Sequence, residues 1–383
     1  MDDALAAPTG VFGHAGAEGF EQVVFFHDAQ TALRAIIAIH STALGPALGG
    51  TRFLAYPDEA AALADVCRLA RAMTYKHAVA GLDHGGGKAV ILGDPRHVRS
   101  DALIRAYADC VDGLAGRYLT AEDVGTTQAD IDLIHGRTPH VTGTSEVLGG
   151  SGDPSPATAW GVLCALGTVG ARAWGTSSLR GRHVVVAGVG KVGAALVGHL
   201  TEAGARVTVA DPDAAAVEAA VVLHGVEVVA PEAAHAIPCD VFAPCALGGV
   251  LSERTIPELR CTVVCGSANN QLAMPSDGRR MADRGVLYAP DYVVNAGGVI
   301  NIAEERPHYD RSRAWQRIAG IADTLETVFE LADEQDCTPP EAADRIAEAR
   351  LAAAGDEDAL PDTQVPAARD PAPCRDHRRR PGS

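Results

Sequence analysis

Residues 182–193, RHVVVAGVGKVG, decide the fold of this chain. Three consecutive valines at 184–186 predict a buried strand, and a glycine-rich turn follows them directly. The next segment, AALVGHLTEAG, has the pattern of a helix, and ARVTVADPD that of a second strand. A strand that leads through GxGxxG into a helix and on to another strand is typical of the Rossmann βαβ unit, which binds dinucleotides. The alternative is a glycine-rich turn of some other α/β fold.

The motif predicts a structural role for each glycine of this turn. Gly188 permits the tight turn, Gly190 lets a pyrophosphate approach the helix N-terminus, and Gly193 allows close packing of helix on strand. Asp211 ends the second strand, where a carboxylate would accept hydrogen bonds from a ribose 2′-hydroxyl and repel a 2′-phosphate. We therefore expect NAD rather than NADP. The predicted cofactor site comprises Asp211 with Gly188, Val189, Gly190, Lys191, Val192 and Gly193.

Strands and helices continue to alternate after this unit, which predicts an α/β protein with a parallel sheet covered by helices. The length of 383 residues favours two domains, and the loop GGSGDPSP marks a boundary or hinge near residue 150. We expect a first α/β domain at 1–149, completed by a C-terminal helix at 330–352, and a Rossmann domain at 150–329. The proline-rich end, 353–383, is expected to be a disordered tail.

Composition argues against several classes of function. The chain has 32 basic and 49 acidic residues, a net charge of −17, which disfavours nucleic acid and anionic membrane surfaces as partners. It has no apolar run of about 20 residues and no secretory signal. Nine scattered cysteines without metal-ligand spacing predict reduced thiols, a cytoplasmic location and no metal site. The terminal RRR could be a basic segment that binds an acidic partner, but a solvated tail is the favoured interpretation.

Two lysines and a carboxylate are candidates for chemistry in the first domain. Lys88 follows three glycines, a pattern that suits a turn where a small molecule approaches the backbone and the amine is partly desolvated. Lys76 ends an amphipathic helix, and Asp123 follows a strand and could exchange protons with a substrate. The alternatives are a surface-loop lysine, a helix-end lysine and a helix cap, respectively.

Asparagines recur at strand ends in the second half of the chain. Asn269 and Asn270 lie in SANNQL, and Asn295 lies in NAGGVIN. Ligands bind at strand ends in parallel sheets of this kind, so contact with a ligand is favoured over a role in turns alone.

Together these segments resemble the glutamate, leucine, phenylalanine and valine dehydrogenase family of amino-acid dehydrogenases. The resemblance runs from about residue 23 to residue 351. It is strongest to the valine-specific members of this family from actinobacteria. The segments that carry it come in family order: GPALGGTR, MTYKHAVAGLDHGGGKAVI, RYLTAEDVGTT, GDPSPATAWGV, GVGKVG, APCALGG, GSANNQL and APDYVVNAGGVIN.

The resemblance implies an enzyme with a substrate cleft between its two domains. Lys76 would hold the substrate carboxylate, Lys88 would polarise the carbonyl and activate water, and Asp123 would exchange protons with the substrate nitrogen. The implied reaction is reversible oxidative deamination of an L-amino acid to a 2-oxo acid and ammonium with NAD. A homo-oligomer, from dimer to octamer, is also implied.

The same resemblance implies further contacts. Asn270 and the backbone around Gly49 and Gly50 would form the floor of the amino-acid site, and Thr158 and Asn295 would lie beside the nicotinamide. The substrate side chain would meet Leu48, Ala121, Val299 and Ile302. These apolar residues argue against an acidic substrate, and the extra methylene of Ile302, where a valine is expected, favours valine over leucine.

Two other functions remain open from the sequence. Leucine dehydrogenase, or a broader branched-chain enzyme, is the alternative within the family. A dinucleotide-binding sensor without catalysis is the alternative outside it, but such a protein would not need Lys88 and Asp123.

Overall fold

A computed structural model describes residues 19–306 and 308–357 and contains two β-sheets. The strands of the first sheet are β1 (Gln22–Asp28), β2 (Leu33–Ser41), β3 (Ala47–Leu54), β4 (Gly85–Leu92) and β5 (Tyr118–Glu122). They lie in the order β1-β2-β4-β3-β5, with β3 parallel to β4 and β5 and with β2 antiparallel to β1 and β4. The helices of this part are α1 (Glu59–Val79), α2 (Pro95–Val98), α3 (Asp101–Asp112) and α4 (Gln128–His135).

The second sheet has six parallel strands. They are β6 (His183–Ala187), β7 (Arg206–Ala210), β8 (Glu227–Val228), β9 (Val241–Pro244), β10 (Val263–Val264) and β11 (Leu287–Tyr288). Their order is β11-β10-β9-β6-β7-β8, so the direction of winding reverses between β6 and β9. Ligands of such sheets bind at this switch point, beyond the carboxyl ends of the strands. The α/β fold class predicted from the sequence is therefore confirmed.

Nine helices accompany the second sheet and the C-terminal part of the described chain. They are α5 (Ser155–Trp174), α6 (Lys191–Glu202), α7 (Ala214–His224), α8 (Asp277–Asp283), α9 (Asp291–Val294), α10 (Gly297–Ala303), α11 (Arg311–Ala319), α12 (Ile321–Glu334) and α13 (Pro339–Glu357). None of the helices within residues 19–306 and 308–357 has both the length and the apolarity needed to cross a membrane.

Helix α1 carries Lys76 to the space between the sheets. Asp58 caps its first turn by accepting a hydrogen bond from the Ala61 N–H, at 2.7 Å. Its buried stripe packs on the first sheet, with Val66 and Ala70 in one apolar cluster with Val90 of β4. The residues in its last turn therefore lie beside the carboxyl end of that sheet.

The three glycines before Lys88 are strand residues, not the turn expected from the sequence. A Cβ on Gly85 would lie 2.0 Å from the Ser41 carbonyl oxygen, and one on Gly86 would lie 2.1 Å from the Thr74 amide nitrogen. One on Gly87 would lie 2.8 Å from the Tyr118 ring. These glycines let α1 and the neighbouring strands pack directly on β4, which buries the lysine that follows them.

The C-terminal helix expected at 330–352 is two helices. The backbone turns at Asp336, which has a φ of +47°, and Thr338 and Glu341 then cap α13 by hydrogen bonds to each other. Helix α13 also continues to Glu357, five residues beyond the expected helix end, because the run LAAA favours helix. The rest of the expected tail, 358–383, lies outside the described residues.

Helix α13 packs on the end of α1. Arg350 donates hydrogen bonds to the carbonyl oxygens of His77 and Ala78, at 3.3 and 3.1 Å, and pairs with Asp83 at 2.8 Å. Both carbonyl oxygens also accept backbone N–H groups of the turn that follows α1, so Arg350 adds a second donor to each and ties α13 to the end of α1. A first domain at 1–149 that the C-terminal helix completes, and a boundary near residue 150, stay predictions.

Candidate active site

Lys88 and Asp123 form an ion pair at the carboxyl end of the first sheet. Lys88 lies on β4 and Asp123 directly follows β5, and both strands flank β3. The Lys88 Nζ lies 2.6 Å from the Asp123 Oδ2, and Lys88 is only 7% exposed. The sequence predicted both residues as candidates but could not predict this contact, because 34 residues separate them along the chain.

The charges around Asp123 keep it ionised. Burial alone would raise its pKa, but the positive charges of Lys88 and Arg52 outweigh burial, so the pKa lies below its ordinary value. Its backbone is fixed as well, because the Asp123 N–H donates to the Thr126 hydroxyl at 2.9 Å. The resting pair is therefore a carboxylate in contact with an ammonium group, an arrangement that can pass protons.

Lys76 shares a cavity of about 400 Å³ with this pair. Its Nζ donates a hydrogen bond to the Asn269 Oδ1 at 3.2 Å, across the space between the sheets. Burial lowers the pKa of Lys76 to about 8, an effect that the charge of Lys88 reinforces and that of Asp291 opposes. A cationic group without its own carboxylate contact can hold an anionic ligand at this point.

The opposite wall of the cavity comes from the second sheet. Asn269 and Asn270 line it after β10, and Asn270 adopts a φ of +52° in the turn. The Asn295 Nδ2 also donates to the Asn269 Oδ1, at 2.9 Å, so one oxygen joins Lys76 to Asn295. The Asn295 Oδ1 is buried and accepts no hydrogen bond from the described residues. This free acceptor fits an amide donor on a ligand.

The glycine-rich turn has the geometry that a phosphate site requires. Gly188 has a φ of +108°, and a Cβ there would lie 2.6 Å from the Ala246 Cβ, which comes after β9. A Cβ on Gly193 would lie 2.0 Å from the Gly188 carbonyl oxygen. A Cβ on Gly190 would have no neighbour within 4 Å among the described atoms, so its backbone faces open space at the start of α6.

Asp211 and Lys191 add charged groups around this turn. The Asp211 carboxylate accepts hydrogen bonds from the N–H groups of Val189 at 2.7 Å and Asp213 at 2.8 Å, and so braces the turn at the end of β7. The exposed Lys191 Nζ lies 3.5 Å from the Asp153 Oδ2 and 3.8 Å from the Glu122 Oε1, beside Asp123. The start of α6, which follows the glycine-rich turn, thus lies near the end of β5, where Asp123 follows.

The other predicted site residues are close-packed. Leu48, Ala121, Val299 and Ile302 belong to one buried apolar cluster that spans both sheets. They do not line the 400 Å³ cavity that Lys76, Lys88 and Asp123 share.

Gly49, Gly50 and Thr158 also lie between packed elements. A Cβ on Gly49 would lie 1.8 Å from the Gly87 carbonyl oxygen, and one on Gly50 would lie 2.9 Å from the Asp123 Cβ. The Thr158 hydroxyl donates to the Pro154 carbonyl oxygen at 3.1 Å and packs against Gly298.

Sequence reasoning missed Arg52 and Asp291. Arg52 contacts Asp123, and Asp291 lies buried near Lys76, where burial raises its pKa. A different pattern could have singled out the lysines: the chain has only three, at positions 76, 88 and 191, against 29 arginines. All three lie at this cleft.

Two family models match the chain. One, described as "Glu/Leu/Phe/Val dehydrogenase, dimerisation domain", matches residues 21–140, and the other, "Glutamate/Leucine/Phenylalanine/Valine dehydrogenase", matches residues 213–357. Leucine dehydrogenase of Geobacillus stearothermophilus is 50% identical over 87% of this chain and 90% of its own length. Valine dehydrogenase of Streptomyces albus is 49% identical over 92% and 99%, respectively. The crystal structure of L-tryptophan dehydrogenase from Nostoc punctiforme aligns with a TM-score of 0.76 at 42% identity, over 88% and 97%.

A Rossmann sheet, a second α/β unit and a cleft that holds two lysines and an aspartate define an amino-acid dehydrogenase. The chain belongs to the glutamate/leucine/phenylalanine/valine dehydrogenase family. The resemblance inferred from the sequence is thereby confirmed. Dehydrogenases of this Rossmann type use a nicotinamide cofactor.

Proposed function

We propose that the protein catalyses the NAD-dependent oxidative deamination of branched-chain L-amino acids, with L-valine preferred. The buried Lys88–Asp123 pair, which shares a cavity with Lys76, is the observation that carries this proposal. In the reaction, L-valine, NAD⁺ and water yield 3-methyl-2-oxobutanoate, ammonium, NADH and a proton. Similarity to both leucine and valine dehydrogenases supports a branched-chain substrate.

The substrate carboxylate binds to Lys76. This ammonium group enters the cavity from the end of α1 and has Asn269 as its hydrogen-bond partner. The charge on the carboxylate does not change during deamination, so this interaction contributes equally to the ground state and the transition state. Lys76 therefore governs affinity and orientation more than the rate of the chemical step.

Lys88 and Asp123 act on groups whose charge does change. Asp123, ionised at rest, accepts a proton from the substrate ammonium group, and the neutral amine can then lose hydride from its α-carbon. Lys88 acts in its neutral form, after its own proton has left to solvent as the proton that the overall reaction releases. It takes a proton from the water that attacks the resulting iminium carbon, so that a hydroxyl group forms there. Asp123 then returns its proton to the nitrogen, the C–N bond breaks, and the hydroxyl proton passes to the departing ammonia as the carbonyl forms, which yields ammonium.

The chemistry that the cofactor would supply, when bound in the cleft, is the acceptance of the hydride. Gly190 and the first turn of α6 would hold its pyrophosphate, because the backbone there faces open space and the helix N-terminus attracts negative charge. The Asp211 carboxylate favours a free ribose 2′-hydroxyl and disfavours a 2′-phosphate, which supports NAD over NADP. Asn295 has a free acceptor for the carboxamide of the nicotinamide.

Carboxylate binding should weaken at alkaline pH because the pKa of Lys76 is about 8. Only the protonated amine binds the carboxylate. The affinity for a carboxylate ligand is therefore highest below pH 8 and falls by about tenfold per pH unit above it. The measurement is the inhibition constant of 3-methylbutanoate, which has the carbon skeleton of valine without an amino group. Lys76→Arg keeps its charge and should remove this pH dependence. An inhibition constant that is flat to pH 10 in the wild type would contradict the role of Lys76.

The preference for valine should depend on Ile302, which belongs to the apolar cluster and does not line the 400 Å³ cavity, but which the family resemblance assigns to the substrate side chain. We expect a higher kcat/KM for L-valine than for L-leucine, and a fall in that ratio of about tenfold in Ile302→Val, because one methylene in a pocket is worth about 1–3 kcal/mol. Ile300→Val, on the same helix and equally buried, is the matched control and should leave the ratio unchanged. If leucine is the better substrate of the wild type, the reaction stands and the pocket argument is wrong.

Two further properties belong to this proposal. The name of the family model that matches residues 21–140, a dimerisation domain, supports a homo-oligomer. The eight cysteines within the described residues have free thiols, in keeping with a reducing, cytoplasmic location.

A further inference from the structure

Arg52 contacts Asp123, and the proposed reaction assigns no role to this contact. It lies on β3, next to both strands that carry the ion pair, and its Nε is 3.4 Å from the Asp123 Oδ2. That Nε is buried and has no hydrogen-bond partner among the described residues. A buried guanidinium N–H without a partner is costly, so its place beside a carboxylate calls for a reason.

The guanidinium of Arg52 is fixed from the other side. Its Nη1 donates to the Asp65 Oδ2 at 2.9 Å, and the same oxygen accepts a hydrogen bond from the Tyr56 hydroxyl at 2.8 Å. Arg68 occupies the second Asp65 oxygen at 2.7 Å. A continuous chain of polar contacts therefore runs from α1 through Asp65 and Arg52 to Asp123.

We propose that Arg52 is a positioning residue for the reaction: its guanidinium, anchored by Asp65, holds the Asp123 carboxylate in place beside Lys88. This inference rests on the proposed function, since it concerns the proton exchange assigned to Asp123. Oδ2 faces both cations, with Lys88 at 2.6 Å and Arg52 at 3.4 Å. When Lys88 loses or gains a proton during turnover, Arg52 keeps one fixed positive charge next to the carboxylate.

The charged groups around Asp123 determine the direction in which the loss of Arg52 shifts the pKa of Asp123. Lys88 on β4 and Arg52 on β3 favour its ionised form directly. Lys76 on α1 is a further positive charge in the same cavity, and Glu122, the preceding residue, is the nearest negative one. Loss of Arg52 removes a cation, so the pKa of Asp123 must rise.

The test compares pH profiles of kcat/KM for L-valine. In Arg52→Gln the acidic limb of the kcat/KM profile should shift to higher pH by about one unit. The reason is that a nearby arginine lowers the pKa of an aspartate by about 1–3 units. Arg52→Lys restores the charge and should return the limb most of the way to the wild-type position. Arg99→Gln is the matched control. It removes a guanidinium that lies 2.8 Å from the buried Asp130 and does not line the cavity, so it should leave the limb in place.

A second readout separates this inference from the proposed function. The Asp123 carboxyl can be titrated by ¹³C NMR in protein labelled at aspartate Cγ, with its signal assigned by its loss in Asp123→Asn. A higher pKa in Arg52→Gln supports the inference even if no amino acid is oxidised, an outcome that would overturn only the proposed function. An unchanged pKa, together with an unmoved acidic limb in an active enzyme, would overturn the inference alone.

Discussion

Lys88→Met should lower kcat for L-valine oxidation by about 10²- to 10⁴-fold, the usual contribution of a positioned proton-transfer group. Methionine keeps the length of the side chain and removes only the amine, so β4 should pack as before. Asp123 would keep Arg52 as a charged neighbour, which limits the cost of leaving that buried carboxylate without Lys88. The measurement is the steady-state formation of NADH at saturating amino acid.

Lys76→Met is the matched comparison for this variant. It removes an amine from the same cavity, but one that we assign to carboxylate binding, so KM should rise by about tenfold to hundredfold with a smaller loss in kcat. Both variants should bind NADH as the wild type does, because neither lysine belongs to the glycine-rich turn. If Lys88→Met retains a tenth or more of the wild-type kcat, Lys88 is not the proton-transfer group of this enzyme.

Gly193→Ala should destabilise the protein by about 3 kcal/mol and abolish measurable binding of the cofactor. The new Cβ would lie 2.0 Å from the Gly188 carbonyl oxygen, a backbone atom that cannot move without opening the turn. Overpacking of this kind costs about 1–3 kcal/mol, and contact with backbone favours the upper end of that range. Thermal unfolding and NADH fluorescence titration measure the two effects.

Two other glycines of the same region separate stability from binding. Gly198→Ala, also on α6, would place its Cβ 3.4 Å from the His224 ring, so stability and cofactor affinity should both be preserved. Gly190→Ala has space in the described structure and should fold normally, yet its methyl group would point where the pyrophosphate approaches. Its dissociation constant for NADH should rise at least about tenfold, equivalent to about 1.4 kcal/mol. Wild-type affinity in Gly190→Ala would contradict the placement of the phosphate site.

Local patterns in the sequence predicted the parts of this structure that depend only on residues close together along the chain. The GxGxxG turn and its βαβ context follow from short segments, and the structure has them as expected. The glycines at 85–87 were assigned to a turn because three glycines disfavour a strand. Their actual role depends on Thr74 and Tyr118, which approach β4 from distant parts of the chain.

Arg52 shows the same limit within the site. It is one of 29 arginines, and nothing in the segment TRFLAY distinguishes it from the others. Its contacts with Asp65 and Asp123 arise only when α1 and β5 pack around β3. Lys76 and Lys88 were predicted from local patterns, because Lys76 ends an amphipathic helix and Lys88 follows three glycines.

The transfer of the α-hydrogen of valine to the cofactor tests the central claim most directly. With L-[2-²H]valine and NAD⁺, we expect deuterium in the reduced nicotinamide, together with ammonium and 3-methyl-2-oxobutanoate in equal amounts, and no product from Lys88→Met. Reduction without ammonium release, or binding of NAD⁺ with no reduction by valine, leucine or any other L-amino acid, would contradict the account.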